Sequence, residues 1–70
     1  FKVIPNPATN NIKVKNYKGH INIIDSQGKS IFSQELKINQ HIDVSWLSSG
    51  LYFIELISNN KKIRQKLIIE

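Results

Sequence analysis

The sequence predicts an all-β domain: a small antiparallel β-sandwich of about six to seven short strands with an immunoglobulin-like arrangement. Apolar residues recur at every second position along most of the 70 residues, and nowhere at the spacing of a helix. Turn-forming residues, above all Gly, Asn, Asp and Pro, separate these runs at short intervals. A chain of this length and pattern is expected to form one domain, residues 1–70, with a modest core.

The first four predicted strands lie before residue 39. The first, near residues 1–4, is stopped by Pro5, Asn6 and Pro7, because neither proline can donate a hydrogen bond to a neighbouring strand. The next three are the segments NIKVK, HINIID and IFSQELKI, each with one apolar face. Their predicted inward residues are Ile12 and Val14, then Ile21 and Ile23, then Phe32, Leu36 and Ile38.

The remaining predicted strands fill the second half of the chain. In HIDVSW, Ile42, Val44 and Trp46 alternate with polar residues. In GLYFIELI both faces are apolar, interrupted only by Glu55, which predicts a central strand covered on both sides. In KIRQKLIIE the inward residues Ile63, Leu67 and Ile69 alternate with the outward residues Lys62, Arg64, Lys66 and Glu70.

Local turn chemistry predicts three of the connections. Residues 25–29, DSQGK, place Asp25 to open a turn and Gly28 to take the positive φ that closes it. Residues 47–50, LSSG, form a loop that ends in glycine. In residues 58–61, SNNK, Asn59 and Asn60 tolerate the left-handed conformation that a two-residue hairpin loop requires. The last two strands are therefore predicted to form a β-hairpin.

Side chains that could carry catalysis are few and scattered. The chain has no cysteine, which excludes disulfides and thiolate chemistry. His20 and His41 start separate strands without a metal-ligand spacing, and we interpret them as surface residues. No close carboxylate pair, calcium loop, nucleophile motif or glycine-rich phosphate loop is present in the sequence. We therefore expect no enzyme activity, no cofactor and no metal.

The aromatic residues do not indicate a sugar-binding platform. Phe32, Trp46 and Tyr52 fall on the predicted inward faces of their strands, where large rings supply core area. Tyr17 is the one aromatic residue predicted in a loop. A carbohydrate-binding or adhesion module, which would need exposed coplanar rings or a calcium loop, is kept as the alternative function.

The chain is basic, with ten Lys and Arg residues, five Asp and Glu residues and a formal net charge of +5. Such a charge favours acidic partners in general. The cations alternate with apolar residues, which is typical of a water-facing strand, so we expect no nucleic-acid partner. Salt-dependent DNA binding stays open as a minor alternative. The longest apolar run, LYFI, is far shorter than the roughly 20 residues that span a bilayer, and predicts no direct membrane insertion.

Four segments together carry a family resemblance: PNPATNNIKV, INIIDSQGKSIFSQEL, DVSWLSSGLYFIEL and KKIRQKLIIE. In this order they resemble the C-terminal sorting domain, type A, of proteins exported by the bacterial type IX secretion system, over essentially all 70 residues. Glu70 departs from the family, whose members often end in lysine. The matching positions are Pro5, Asn6 and Pro7, then Asp25, Gly28 and Lys29, then Leu47, Gly50 and Tyr52, and finally Lys66 with the apolar residues after it.

The resemblance implies a Gram-negative export signal that is itself a folded domain. It implies recognition by the type IX outer-membrane translocon after transit through the periplasm, and removal by a sortase-like peptidase. The cargo would then stay at the cell surface or outside the cell. The first residue is not Met and no secretory signal precedes the motifs, so we expect the chain to be the C-terminal piece of a longer protein. We expect it to be a monomer.

The last strand is the predicted recognition element. At a sheet edge, its unpaired N–H and C=O groups could pair with a strand of a receptor. Lys62, Arg64 and Lys66 would face outward, where a partner reads them, while the inward residues are buried. The site residues predicted from the sequence are these three cations together with Pro5, Asn6, Pro7, Gly28, Lys29, Gly50 and Tyr52.

Overall fold

The computed structural model describes residues 2–70, which form seven β-strands. The strands are β1 (Lys2–Ile4), β2 (Asn11–Lys15), β3 (Gly19–Asp25), β4 (Ser30–Leu36), β5 (His41–Asp43), β6 (Gly50–Ser58) and β7 (Lys61–Ile69). They confirm the all-β prediction. Phe1, with which the predicted first strand starts, lies outside the described residues. Residues 2–70 include no helix long and apolar enough to cross a membrane.

The strands form two antiparallel sheets that pack face to face. One sheet has three strands in the order β1-β2-β5, and the other has four in the order β4-β3-β6-β7. β6 is therefore an interior strand, as predicted, and β7 lies at a sheet edge, as the recognition hypothesis requires. The β6–β7 hairpin pairs along its whole length, from Ser58 with Lys61 at the turn to Gly50 with Ile69 at the far end.

The core lies between the two sheets and consists almost wholly of aliphatic side chains. The three-stranded sheet contributes Ile12, Val14 and Ile42, and the four-stranded sheet contributes Ile21, Ile23, Ile54, Leu56 and Leu67, all of them buried. The alternation in the sequence predicts these positions correctly, because each strand turns every second side chain toward the opposite sheet. Burial of this apolar surface is the main term that stabilises so small a domain.

Tyr17 lies between β2 and β3, as predicted, but its ring belongs to the core and is only 2% exposed. Its hydroxyl lies within donating distance of two backbone carbonyl oxygens, that of His20 at 2.7 Å and that of Ile57 at 2.9 Å. Burial raises the pKa of this hydroxyl. Gly19 makes room for it, because a Cβ at that position would lie 2.8 Å from the tyrosine oxygen. Tyr17 thus fixes the β2–β3 loop against β6.

The predicted turns form as their residues indicate. Asn59 and Asn60 have φ angles of 48° and 66°, the left-handed geometry of a two-residue hairpin loop. Gly28 has a φ of 87°, and its N–H donates to the carbonyl oxygen of Asp25 at 3.0 Å. The Asp25 carboxylate also accepts a hydrogen bond from the backbone N–H of Lys29. Local chemistry therefore sets the β3–β4 and β6–β7 connections.

Two residues predicted in the core lie on the surface, because their strands end earlier than the alternation suggests. β4 ends at Leu36, and Ile38 is 62% exposed in the turn that follows. β5 ends at Asp43, and Trp46 is 52% exposed in the turn after it. The indole N–H of Trp46 donates to the carbonyl oxygen of Asp43 at 2.9 Å, and its ring lies against half-buried Phe32. The predictions of buried Ile38 and buried Trp46 are wrong.

The outer face of the four-stranded sheet points away from the three-stranded sheet and is not covered by a further layer of the described residues. On this face Leu51 is exposed, and Phe53 and Ile57 are half-buried. The prediction that β6 is covered on both sides is therefore wrong. Side chains of the neighbouring strands shield this face instead, so that Glu55 is only 6% exposed.

Ile63 of β7 is also more exposed than predicted, at 37%. It lines a cavity of about 210 Å³ with Tyr17, Leu56, Ser58, Asn59 and Lys61, none of which belongs to the three-stranded sheet. Among residues 2–70, the three-stranded sheet thus contributes no side chain to this cavity at the turn end of the β6–β7 hairpin. Leu67 and Ile69, near the other end of β7, are buried as predicted.

Candidate recognition site

The two sides of β7 have different surroundings. Leu67 and Ile69 point into the core, so Lys62, Arg64 and Lys66 point to the outer face, where all three are exposed as predicted. In an antiparallel pair, every second residue directs both its N–H and its C=O away from the neighbouring strand. In β7 these are the even-numbered residues. Their backbone groups form the free edge of the sheet.

Asn6 closes part of this edge. Its Nδ2 donates to the carbonyl oxygen of Lys66 at 2.9 Å, and its Oδ1 accepts a hydrogen bond from the N–H of Ile68 at 3.1 Å. The carboxamide therefore makes the two contacts that a residue of a neighbouring strand would make. Pro5 and Pro7 flank it, each after a cis peptide bond. The first and last predicted motifs meet here, although 60 residues separate Asn6 from Lys66.

Ala8 continues this cover toward the end of β7. Its N–H donates to the carbonyl oxygen of Ile68 at 2.8 Å, and the N–H of Glu70 donates to the carbonyl oxygen of Ala8 at 2.9 Å. Ala8 forms a parallel bridge with Ile69 and is fully buried. We name residues 6–8 the strap. The strap pairs with the edge of β7 over residues 66–70.

The other part of the edge, residues 61–64, has neither a strand nor the strap beside it among the residues that the structure describes. Within it, the backbone N–H and C=O groups of Lys62 and Arg64 point outward. No backbone hydrogen bond from residues 2–70 reaches these groups. Among residues 2–70, β7 is thus a divided edge, which pairs with the strap over residues 66–70 and lacks such pairing over residues 61–64.

Glu55 lies beside two of the three cations on the outer face. Its Oε2 accepts a hydrogen bond from Nη2 of Arg64 at 3.1 Å, and its Oε1 lies 3.9 Å from Nζ of Lys62. Nδ2 of Asn22, on β3, donates to the same Oε1 at 3.3 Å. The hydrogen bond from Arg64, above all, holds the pKa of Glu55 below its ordinary value. The Arg64 guanidinium also lies 5.9 Å from the ring centre of Phe53.

A polar network extends from Glu55 to the opposite edge of the sheet. His20 on β3 places its Nδ1 2.8 Å from Oε1 of Glu35 and its Nε2 2.6 Å from Oγ of Ser33, both on β4. The same Nε2 lies 3.1 Å from Oδ1 of Asn22, which in turn contacts Glu55. The network crosses all four strands. It holds the Arg64 side chain at a fixed place on the outer face.

Glu55→Gln is expected to remove part of the acid sensitivity of the domain. The pKa of folded Glu55 lies below its ordinary 4.5, so its contribution to stability is complete above that pH and is lost as the pH falls through the lowered value. The measurement is the free energy of unfolding by chemical denaturation from about pH 3 to about pH 7. The variant should show a flatter profile below about pH 5.

Asp43→Asn is the matched control for this experiment. Hydrogen bonds from Ser45 also lower the pKa of Asp43, but this carboxylate is exposed and belongs to the last residue of β5, in the sheet that does not carry the network. We expect a smaller change of the profile for Asp43→Asn than for Glu55→Gln. Parallel profiles for wild type and Glu55→Gln would show that the carboxylate does not support the outer face.

The other predicted site residues lie at the end of the sandwich where β7 finishes. Gly28 and Lys29 belong to the β3–β4 turn, and Gly50 opens β6. Tyr52 packs half-buried against the core, and its hydroxyl donates to the carbonyl oxygen of Ser48 at 2.7 Å. These contacts show that the four residues help to form a turn or the start of a strand.

The structure brings the predicted site residues together in two groups. Asn6 meets Lys66 at the closed edge, while Lys62 and Arg64 flank Glu55 on the outer face. No hydrogen bond or ion pair among residues 2–70 joins Asn6, Lys62, Arg64 or Lys66 to residues 26–29 of the β3–β4 turn. Sequence reasoning missed Ala8, Asn22 and Glu55 as parts of these groups.

An all-β domain with a divided edge strand and a row of outward cations belongs to the class of interaction modules. Among residues 2–70 no cluster of His, Asp and Glu side chains could hold a metal ion. Comparison with family models matches residues 2–70 to the family described as the secretion system C-terminal sorting domain. The chain belongs to this family, whose domains are the C-terminal sorting signals of type IX secretion.

Membership of this family carries two consequences. The domain interacts with the type IX secretion machinery, and the cargo that it accompanies is destined for the cell surface or the exterior. A comparison with curated proteins found no match.

Proposed function

We propose that the β6–β7 hairpin is the part of the domain that the outer-membrane translocon recognises. The observation that supports this proposal is the position of β7, an edge strand that presents Lys62, Arg64 and Lys66 along its outer face. An edge strand allows recognition by backbone pairing, and a row of cations adds steering toward an acidic partner. Because the three side chains stand on one strand, their spacing is fixed before the partner arrives.

In this proposal the domain acts as a sorting signal and catalyses no reaction. It brings its cargo through the periplasm to the translocon, and a sortase-like peptidase then removes it at the cell surface. The polar side chains of the outer face are engaged with one another, as in the contacts of His20 with Glu35 and Ser33. Such engagement suits a substrate of the machinery better than an enzyme.

The alternative function, carbohydrate binding, needs a flat array of exposed aromatic rings. Trp46 is exposed, but its ring is inclined by 46° to that of Phe32. This pair therefore offers no flat stacking platform, and the second ring is half-buried. The structure gives no support to this alternative.

The test is export of a folded fluorescent cargo that carries residues 1–70 at its C-terminus and its own inner-membrane signal. We expect the cargo outside cells that have the type IX machinery, and in the periplasm of cells that lack it. The same cargo without residues 1–70 is the control and should stay in the periplasm of both strains. Retention of the complete fusion in both strains would contradict the proposal.

Lys66→Ala is expected to reduce export of this cargo severalfold without unfolding the domain. The Lys66 side chain is exposed on the outer face, so its removal should change the free energy of unfolding by no more than about 0.5 kcal/mol. Export and the thermal unfolding midpoint are measured together. Lys15→Ala is the matched control, because Lys15 is an exposed lysine of the other sheet. If the cargo fused to Lys66→Ala is exported as well as the cargo fused to Lys15→Ala, Lys66 is not part of the recognised surface.

A further inference from the structure

The outer face of the four-stranded sheet carries an apolar cluster near the end of β7. Leu51 on β6 lies directly opposite Ile68 on β7, and Phe53, two positions further along β6, lies opposite Ile24 on β3. Side chains two positions apart on a strand stand on the same face, so these four side chains are neighbours. None of them belongs to the hydrophobic core that residues 2–70 form between the two sheets. We name Ile24, Leu51, Phe53 and Ile68 the outer cluster.

The residues of the sheet itself cover the outer cluster only in part. Ile24 is 6% exposed, Phe53 and Ile68 are half-buried, and Leu51 is 38% exposed. A sheet face that only meets water is expected to be polar. The rest of this face, apart from half-buried Ile57, carries the polar network. An apolar patch with a polar border is typical of a surface that binds a partner.

Cations of β7 border the outer cluster along one side. Lys66 lies directly opposite Phe53 in the β6–β7 register, and the Arg64 guanidinium lies 5.9 Å from the centre of the Phe53 ring. Arg64 shares the Glu55 carboxylate with Lys62, whereas no ion pair among residues 2–70 includes Lys66. The charge of exposed Lys66 therefore favours an acidic group on the partner.

Glu70, the acidic residue nearest to Lys66 in the sequence, stands apart from this charge. It lies past the end of β7, at about 13 Å from Lys66 if the strand spacing continues. Ile68 of the outer cluster lies between the two. The acidic groups of a partner are therefore expected beside Lys66 and Arg64, and its apolar groups over the cluster.

The backbone of β3 and β6, which carry most of the outer cluster, is paired on both sides within the sheet. A partner on this face therefore meets side chains only. An extended segment laid across it would bury N–H and C=O groups of its own without hydrogen-bond partners, which costs free energy. An α-helix pairs its own backbone groups, and helices commonly pack on the faces of sheets. The face therefore favours a helix.

We propose that the outer cluster binds an amphipathic helix of a partner protein in which aspartate or glutamate residues border the apolar stripe. The stripe covers Leu51, Phe53 and Ile68, and the acidic residues lie beside Lys66 and Arg64. That the partner belongs to the outer-membrane translocon rests on the proposed function. The docking itself rests on the outer cluster and on the charge beside it.

The test uses residues 1–70 and two synthetic helical peptides, each with leucines at the spacing of one helix face. Glutamate borders the leucines in one peptide, and lysine takes its place in the other. Amide chemical shifts, followed by NMR, locate the binding. We expect the glutamate peptide to shift residues 51–53 and 66–68 and to bind about tenfold more tightly than the lysine peptide. Equal binding of the two peptides, no binding of either, or shifts confined to the three-stranded sheet would overturn the proposal.

Lys66→Glu tests the charge beside the outer cluster. The Lys66 side chain is exposed, so the variant is expected to fold. We expect it to bind the glutamate peptide about tenfold more weakly than wild type and to bind the lysine peptide more tightly, because the sign of the charge is reversed. A preference for the glutamate peptide that persists unchanged in this variant would overturn the proposal.

Leu51→Ser tests the apolar contact. Leu51 is the most exposed member of the outer cluster, and its replacement should weaken the binding of both peptides about tenfold. Ile38→Ser is the matched control, because Ile38 is an exposed aliphatic residue of the turn after β4, and it should bind as wild type does. Equal affinity of Leu51→Ser and Ile38→Ser would overturn the proposal.

A second copy of the chain is the other occupant that an apolar face of this kind could receive. Two copies would bring the cations of both faces together, which disfavours this pairing. Sedimentation at several concentrations is expected to show a monomer. A dimer that Leu51→Ser dissociates would assign the outer cluster to self-association and overturn the proposal.

The export assay distinguishes a failure of this inference from a failure of the proposed function. Reduced export of Lys66→Ala, together with export of Leu51→Ser at the level of Ile38→Ser, would leave the proposed function standing and end the assignment of the outer cluster to the translocon. Peptide binding at the outer cluster, together with retention of the complete fusion in the periplasm of both strains, would do the reverse.

Discussion

Leu67→Ala is expected to remove a large part of the stability of the domain and to reduce export of a fused cargo. Leu67 is fully buried in the core on the strand that carries the outward cations. Truncation of a buried leucine costs about 2 to 5 kcal/mol, because apolar contacts are lost and a cavity remains. A domain of this size is stable by roughly 4 to 10 kcal/mol in total. The measurement is chemical denaturation of the isolated domain, followed by the export assay.

Ile63→Ala is the matched control on the same strand. Its side chain is 37% exposed beside the cavity, so we expect a loss of about 1 kcal/mol and a folded domain. The alternation in the sequence places both residues on the inward side, and only the structure separates them. Equal losses for Leu67→Ala and Ile63→Ala would show that the core extends to the turn end of the hairpin.

The features that depend on neighbouring residues could be predicted from the sequence. Asn59 and Asn60 adopt the left-handed conformation because their own side chains tolerate it, and the hairpin register follows from that loop. Gly28 closes its turn for a similar local reason. The period of two then identifies the inward residues of each strand.

The ends of strands were less predictable, because alternation continues past the point where pairing stops. Ile38 keeps the period of β4, yet a turn begins at Lys37, where Oε1 of Gln40 accepts the backbone N–H at 2.9 Å. Trp46 keeps the period of β5, but the chain turns after Asp43. In both cases a local polar contact competes with an apolar pattern and ends the strand.

The candidate site likewise contains one contact that the sequence could have predicted and one that it could not. Counting outward from the two-residue loop pairs Glu55 with Arg64, so this contact could have been found in the sequence. The contact of Asn6 with Lys66 could not, because it joins residues 60 positions apart and depends on how the two sheets pack. Family resemblance singled out both residues but gave no reason to place them together.

Asn6→Ala is expected to destabilise the domain and to make it associate in a concentration-dependent manner. The variant loses the two hydrogen bonds of the Asn6 side chain, each worth about 0.5 to 1.5 kcal/mol. The C=O of Lys66 and the N–H of Ile68 then have no side-chain partner. The exposed groups of Lys66 and Ile68 then continue the row of outward backbone groups of Lys62 and Arg64. Long exposed edges pair with other chains. Chemical denaturation and sedimentation at several concentrations measure the two effects.

Asn6→Asp tests the hydrogen-bond geometry itself. The introduced carboxylate still accepts from the N–H of Ile68, but it cannot donate to Lys66, and it sets a negative oxygen against that carbonyl. A protonated carboxyl group can donate. The folded state therefore favours the protonated form and raises the pKa of the introduced group, so stability is present at low pH and lost as the pH rises through the raised value.

The two variants together separate the strap from an ordinary turn. If residues 6–8 served only to reverse the chain, both variants would fold with similar stability at all pH values and remain monomeric. If the carboxamide stands in for a strand, Asn6→Asp recovers toward wild type on acidification, whereas Asn6→Ala does not. Association should follow the same order, because the feature that protects the edge is the pair of hydrogen bonds to Lys66 and Ile68. In this domain one side chain near the start then determines how much of the last strand a partner can reach.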